Sequence, residues 1–270
     1  MQRPKGFTLI ELLVVISIIA LLVGILLPAL GAARKTAISL KCLSNHRQLA
    51  IGLGSYANDF SDRFPLKKIK LYSSTGIPLQ EWYVSQTWLG TAGKVSGTAA
   101  SRFGADVRPL NGYIGGPYED PKADVPMALC PADEQQEQDA IIYSWGTSYR
   151  ANNTHGRSLT INHLKTGPNA PFKDQDGRLV TQVTKPSKTV AIFESQAIEV
   201  SDDQDGTTAE QIDDRFFWHT NPRDYRFNTS FCDGHAALVT YEPDKWVTDE
   251  YTWNVDDFPT RPGNNDNLEP

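Results

Sequence analysis

The sequence predicts an α+β protein in which a long amino-terminal helix packs on an antiparallel, β-rich domain. A nearly continuous apolar run covers residues 7–30 and contains Glu11 as its only charged residue. An amphipathic helical pattern follows over residues 31–59. Short apolar or aromatic runs separated by Gly, Pro, Asn and Asp then predict a β-rich domain over residues 60–255.

The first half of the helix is predicted to span a membrane. About 24 residues at about 1.5 Å each give roughly 36 Å, which exceeds the hydrocarbon thickness of about 30 Å. The apolar run is longer than that of a secretory signal peptide. Arg3 and Lys5 precede it, so the positive-inside rule predicts that the following domain lies outside the cytoplasm.

Glu11 lies inside this apolar run, where a carboxylate is costly to desolvate. The cost becomes tolerable only when an opposite charge faces the carboxylate at close range. Glu11 is therefore predicted to mark a functional contact.

The string KGFTLIELLVVI at residues 5–16 resembles the amino terminus of type IV prepilins and type II secretion pseudopilins. The resemblance implies a leader over residues 1–6, which a prepilin peptidase cuts between Gly6 and Phe7 before it methylates the Phe7 amine. It also implies that Glu11 pairs with the Phe7 ammonium of a neighbouring subunit. Pro28 is expected to kink the helix, and in this family the matching region melts on assembly.

The function implied by this resemblance is structural. The chain would polymerise through its helix into the pseudopilus of a type II secretion system or a related fibre. Its partners would be prepilin peptidase, other pseudopilin subunits and the inner-membrane platform of the secretion system. It would cross the inner membrane once and place its head in the periplasm or at the cell surface. The alternative is a membrane-tethered surface binding protein that uses the leader only for sorting.

One apolar stripe runs along the helix over residues 31–59. It is formed by Cys42, Leu49 and Tyr56, with His46 and Leu53 between them. Basic residues occupy the opposite side and are expected to be solvated: Arg34, Lys35, Lys41 and Arg47. This region resembles a pseudopilin-like family that has a large carboxy-terminal domain and a processing-associated His-x-Asp-Gly signature.

The head is predicted to contain strands at 82–89, 141–149 and 189–194, and a hairpin of 227–232 with 235–241. Asp233 and Gly234 would form its two-residue type I′ turn. Segments 90–126 and 151–188 are rich in turn formers and are predicted to be surface loops, and residues 256–270 a loose tail.

The family signature corresponds to His219, Asp233 and Gly234, although thirteen residues separate the histidine from the aspartate where the family usually has nine. The longer gap leaves open whether His219 lies against Asp233. A metal site of His219, Cys232, Asp233 and His235 is the alternative to ordinary strand and turn residues.

The chain has three cysteines, and their spacing matches no CxxC or zinc motif. Oxidation outside the cytoplasm would allow one disulfide, and Cys42 with Cys130 is the favoured pair because it would tie the helix to the head. The alternative is three buried, reduced cysteines.

Two Asp-Gln-Asp-Gly segments, at 174–177 and 203–206, resemble the opening of a calcium loop but lack its closing glutamate. Acidic turns are the commoner explanation, and calcium at Asp203 and Asp205 is the alternative. No other cofactor is predicted.

Two function classes are not supported by the sequence. The formal net charge of −6 argues against a nucleic-acid partner, which requires a basic surface. The chain also has no Gly-x-Ser-x-Gly, His-Glu-x-x-His or phosphate-loop motif, so it is not predicted to be an enzyme.

Overall fold

The computed structural model describes residues 9–72, 78–84, 87–91, 104–116, 120–133, 146–152, 178–201, 217, 219, 224–243 and 245–254. These residues form one long helix, a two-stranded sheet, a four-stranded sheet and several short helical turns. The predicted α+β class with an amino-terminal helix and an antiparallel sheet is therefore confirmed.

The amino-terminal helix, α1, runs from Leu9 to Asp59 and continues through Pro28. It ends where the sequence predicts, because Ser61 adopts a left-handed conformation with φ of 55°. The backbone N–H of Asp62 then donates to the carbonyl of Ala57 at 2.8 Å, which satisfies one of the last free carbonyls of the helix. A kink at Pro28 stays a prediction.

The strands form two antiparallel sheets. The smaller pairs β1 (Lys67–Tyr72) with β2 (Pro78–Val84). The larger has the order β3-β4-β5-β6 and is built from β3 (Tyr149–Ala151), β4 (Val190–Glu194), β5 (Arg226–Phe231) and β6 (Ala236–Thr240). A short helix, α2 (Gln196–Ser201), follows β4.

Two predicted strands differ from those observed. The strand predicted at 82–89 overlaps β2 only at residues 82–84, and Trp88 and Leu89 are instead buried core residues outside any strand. The strand predicted at 141–149 meets β3 only at Tyr149, and residues 141–145 lie outside the described part of the chain.

The β5–β6 hairpin is present, but its predicted type I′ turn is wrong. The loop has three residues: the Phe231 N–H donates to the His235 carbonyl at 2.9 Å, and the Gly234 N–H donates to the Phe231 carbonyl at 3.1 Å. Gly234 has φ of 95°, whereas Asp233 is not among the residues with positive φ. A type I′ turn needs positive φ at both positions, so this loop matches a type I turn followed by a glycine bulge.

The carboxy-terminal part of α1 packs on β4, β5 and β6 through the predicted apolar stripe. All five stripe residues are buried: Cys42, His46, Leu49, Leu53 and Tyr56. The four basic residues predicted on the opposite side are exposed. The apolar stripe is therefore the face of α1 that the sheet and its loops cover.

Alternation along β5 gives the sheet two different faces. Phe227 and Phe231 pack in a cluster with Trp246 and Trp253 on the side away from α1. Asn228 and Ser230 have the opposite parity, and the Ser230 hydroxyl contacts His46 of α1. The interface between α1 and the sheet therefore contains a buried polar layer.

The segment 90–126 is not simply a surface loop, because residues 104–116 contribute to the core. Leu110 and Asn111 are completely buried, and Arg108 nearly so. The Asn111 amide nitrogen donates to the carbonyls of Gly90 and Ala105, both at 2.8 Å. Buried loops need partners for their backbone groups, and these side chains supply what water would supply at the surface.

Gly52 and Gly54 provide a test of how closely α1 packs on the head. A Cβ at Gly52 would lie 2.9 Å from Ile114 Cγ2, whereas one at Gly54 meets no heavy atom within 4 Å among the described residues. Gly54→Ala should raise the free energy of unfolding by roughly 0.5–1 kcal/mol through helix propensity. The gain in the free energy of unfolding for Gly52→Ala should be smaller by about 1 kcal/mol or more, because the added methyl group would overpack against Ile114. Chemical denaturation followed by circular dichroism measures both, and equal gains would contradict the packing.

Candidate functional site

The amino-terminal half of α1 is apolar and uncovered by the rest of the protein. Its large apolar residues from Leu9 to Leu30 are between 45% and 85% exposed. Its most apolar 18-residue window has a mean hydropathy of 3.1, and none of it is buried. A surface of this kind is stable only in lipid or against other apolar helices.

Glu11 occupies the first turn of α1, on this exposed apolar half. Its position therefore places one negative charge at the start of the apolar rod. Gly6 and Phe7 lie outside the described residues.

A second candidate site is buried where α1 meets the head. Cys42 of α1 and Cys130 form a disulfide, with their Cα atoms 5.6 Å apart. His219 lies beside it, with Nε2 3.2 Å from Cys130 Sγ and 2.8 Å from Glu194 Oε1. The side chains of His219 and Glu194 are 1% and 0% exposed. The disulfide therefore shares a water-excluded space with a histidine–carboxylate pair.

Glu194 ends strand β4 and is held by the neighbouring strand. Its Oε2 accepts the backbone N–H of Asn228 at 3.2 Å, and its Oε1 accepts the Asn228 side-chain amide at 3.1 Å. Two hydrogen bonds from one residue hold both oxygens of the carboxylate in place. The carboxylate therefore has a fixed orientation towards His219.

His46 adds a second histidine to the buried polar layer. The Ser230 hydroxyl donates its proton to the His46 carbonyl oxygen at 2.9 Å. Ser230 Oγ can therefore accept a hydrogen bond from His46 Nδ1, which lies 2.9 Å from it. This assigns the proton of the neutral ring to Nδ1. Burial lowers the pKa of His46 from 6.5 to about 4, with the negative charge of Glu194 opposing the shift and His219 adding to it.

The family-signature residues do not come together. His219 contacts Cys130 and Glu194, whereas Asp233 Oδ1 lies 2.6 Å from Nδ1 of the exposed His235. A metal site of His219, Cys232, Asp233 and His235 is therefore not assembled. Cys232 is a free, half-buried cysteine whose thiol pKa is raised by burial.

The cluster contains residues that the sequence analysis did not single out. Glu194 and Asn228 are both completely buried. The available signal was an acidic residue at the end of an otherwise apolar strand, Val190–Glu194. The alternative calcium residues Asp203 and Asp205 lie outside the described part of the chain.

Two comparisons with known proteins match short stretches of this chain. The family model for the prokaryotic N-terminal methylation motif matches residues 1–27. The type IV wide pilus major component PilA4 of Thermus thermophilus is 65% identical over 37 residues, which are 14% of this chain and 28% of that protein. No solved structure matches the chain.

The methylation motif and the exposed apolar helix agree with each other. The chain has a prepilin-type amino terminus followed by a helix able to span a membrane, and it is type IV pilin-like. The narrower resemblance, to a family with a large carboxy-terminal domain and a His-x-Asp-Gly signature, stays a prediction.

The buried His46 predicts a loss of stability in acid. Its pKa is about 4 when folded and 6.5 in the reference state, so the unfolded chain binds the proton more tightly. The contribution of neutral His46 to the free energy of unfolding is therefore fully present above pH 6.5 and is lost as the pH falls towards 4. The loss should be about 2 to 3 kcal/mol between pH 7 and pH 4.5. His46→Asn keeps an amide near Ser230 but removes this titration. Denaturation at both pH values should show a smaller acid loss in the variant, and an equal loss would contradict the assignment.

Proposed function

We propose that this chain is a structural subunit of a type IV pilus-like fibre, specifically the pseudopilus of a type II secretion system or a related assembly. The observation that carries the proposal is an amino-terminal methylation motif continuous with an apolar helix that the head leaves uncovered. A catalytic role is not required by any feature of this helix. The head would be the part of the subunit displayed on the outside of the fibre.

Assembly would proceed by lateral packing of the apolar half of α1 against the same half of other subunits. Each large apolar side chain that is removed from lipid or water finds close contacts on a neighbouring helix. Apolar contacts alone leave the register between two helices free to slide. A charged pair within the apolar bundle would fix it.

Glu11 would supply the negative member of that pair, and the amine of Phe7 of a neighbouring subunit the positive member. The free amine exists only after the leader is removed, because the Phe7 nitrogen is otherwise part of the peptide bond to Gly6. Two ions in a low-dielectric bundle each lose hydration, and separating them leaves uncompensated charge that costs several kcal/mol. Processing would therefore be the step that makes the subunit competent for assembly.

The proposed membrane topology rests on the same segment. Prepilin peptidase would cut the basic leader on the cytoplasmic side, and the platform of the secretion system would then receive the mature subunit. Arg3 and Lys5 before the apolar run favour a head outside the cytoplasm. The head would then lie in the periplasm or at the cell surface, attached to the inner membrane by α1 before assembly.

Replacement of the glutamate tests the pairing role. Glu11→Val should be processed normally but give at least about tenfold fewer crosslinked oligomers, because the Phe7 amine would have no carboxylate. Photo-crosslinking from Leu22 in native membranes measures the ladder of oligomers. Ser17→Ala, which removes a hydroxyl bound to the Leu13 carbonyl of the same helix, is the matched control and should leave the ladder intact. A normal ladder with Glu11→Val, or monomers alone for the unmodified chain, would contradict the proposal, and the latter would favour a tethered binding protein.

Replacement of the glycine tests processing. Gly6→Val should block cleavage, because the β-branched side chain would occupy the position next to the scissile bond. Mass spectrometry of the membrane-extracted protein should then show a chain that keeps its leader. Gly24→Ala, in open space on α1, should still give a chain beginning at methylated Phe7. A native protein that starts at Met1 would overturn both processing and fibre assembly.

A further inference from the structure

Four side chains at the junction of α1 and the head form a group with the donor atoms of a metal site. Cys42 comes from α1, Cys130 from a loop, Glu194 from the end of β4, and His219 from a separate segment. One ligand atom from each lies within 4.8 Å of the others. We propose that reduction of the Cys42–Cys130 disulfide converts this group into a zinc site.

The donor set favours zinc. Two soft thiolates and a borderline imidazole nitrogen, with one carboxylate oxygen, suit Zn²⁺ better than Mg²⁺ or Ca²⁺, which prefer all-oxygen sites. Four protein ligands would complete the tetrahedral coordination that structural zinc sites adopt. The four residues are spread over sequence positions 42 to 219, so they do not form a linear zinc-binding motif.

The distances already approach those of a tetrahedral site. Ligands of one zinc ion are separated from each other by roughly 3.3–3.8 Å. His219 Nε2 lies 3.2 Å from Cys130 Sγ and 2.8 Å from Glu194 Oε1, and Cys130 Sγ lies 4.0 Å from Glu194 Oε1. The two sulfurs are covalently bonded to each other, so they cannot bind a metal as thiolates until the disulfide is reduced. Breaking that bond allows the sulfurs to separate, and because all four ligand atoms already lie within 4.8 Å of one another, shifts of about 1 Å would bring them to tetrahedral spacing.

The electrostatics of the pocket support a bound cation. Glu194 is completely buried, and His219 Nε2 lies 2.8 Å from its carboxylate. Reduction adds two cysteines that bind metal as thiolates. Zn²⁺ offsets most of the resulting negative charge, while Asn228 donates hydrogen bonds to both oxygens of Glu194 and orients this ligand.

The exchange of the two states balances chemically. A dithiol reductant transfers two electrons and two protons to the disulfide, which gives two thiols and an oxidised, cyclic disulfide product. Zinc then displaces the two thiol protons and binds both sulfurs. The covalent and the zinc-bound states exclude each other, and each ties Cys42 of α1 to Cys130 of the head.

Cobalt provides the spectroscopic test. The full chain in detergent is reduced with a dithiol under anaerobic conditions, freed of reductant and titrated with Co²⁺, while an oxidised sample is treated in parallel. The reduced chain should bind one Co²⁺ with intense tetrahedral ligand-field bands and thiolate-to-cobalt charge-transfer absorption, and one equivalent of Zn²⁺ should remove both. The oxidised chain should show neither. Reduced protein without charge-transfer bands would overturn the proposal.

Single substitutions identify the ligands. Cys130→Ser leaves one thiolate, so the thiolate-to-cobalt charge-transfer absorption should fall to about half or less. His219→Gln should weaken cobalt binding by at least about tenfold. The matched controls are Cys232→Ser and His235→Gln, which remove the free cysteine and an exposed histidine outside the group. Both controls should bind Co²⁺ as the unmodified chain does. Loss of binding in Cys232→Ser, or unchanged affinity in His219→Gln, would assign the metal elsewhere and overturn the site.

Discussion

The contact between the second half of α1 and the four-stranded sheet is the constraint on which the rest of the molecule depends. The helix is 51 residues long, yet the head covers only its membrane-distal part. Apolar packing along Leu49, Leu53 and Tyr56 excludes water but leaves a helix free to slide or rotate. The Cys42–Cys130 bond and the contact between His46 and Ser230 are directional, and they fix where the head sits on the rod.

This attachment divides one helix between two environments. Residues up to Leu30 expose apolar side chains that need lipid or other helices around them, while the buried face from Cys42 onward needs the sheet. Neither requirement interferes with the other, because they fall on successive parts of the same rod. A fibre built from the first part can therefore carry a large head without altering the packing of its own core.

The interface between α1 and the sheet contains a layer of buried polar side chains. Polar groups in such a place need partners, and here the partners come from distant segments: Asn228 for Glu194, Glu194 for His219, and Ser230 for His46. Each hydrogen bond joins two parts of the chain that apolar contacts alone would not align. The cluster is therefore well placed to hold α1, β4 and β5 in one arrangement.

Much of this protein was predictable from sequence alone. The end of α1, its apolar stripe and its exposed apolar half follow from local periodicity and composition, which depend on neighbouring residues. The prepilin-type amino terminus is likewise a continuous motif. The hairpin was also evident, although its turn was not, because Cys232 rather than Asp233 begins the loop and only the strand pairing decides this.

Tertiary structure decided the rest. The burial of residues 104–116 depends on Arg108 and Asn111 reaching carbonyls about twenty residues away in sequence, which no local pattern encodes. The meeting of His219 with Glu194 and Cys130, rather than with Asp233, is likewise a matter of chain path. Local sequence determines where a helix forms and which face is apolar, whereas side chains far apart along the chain become neighbours only when the sheet is assembled.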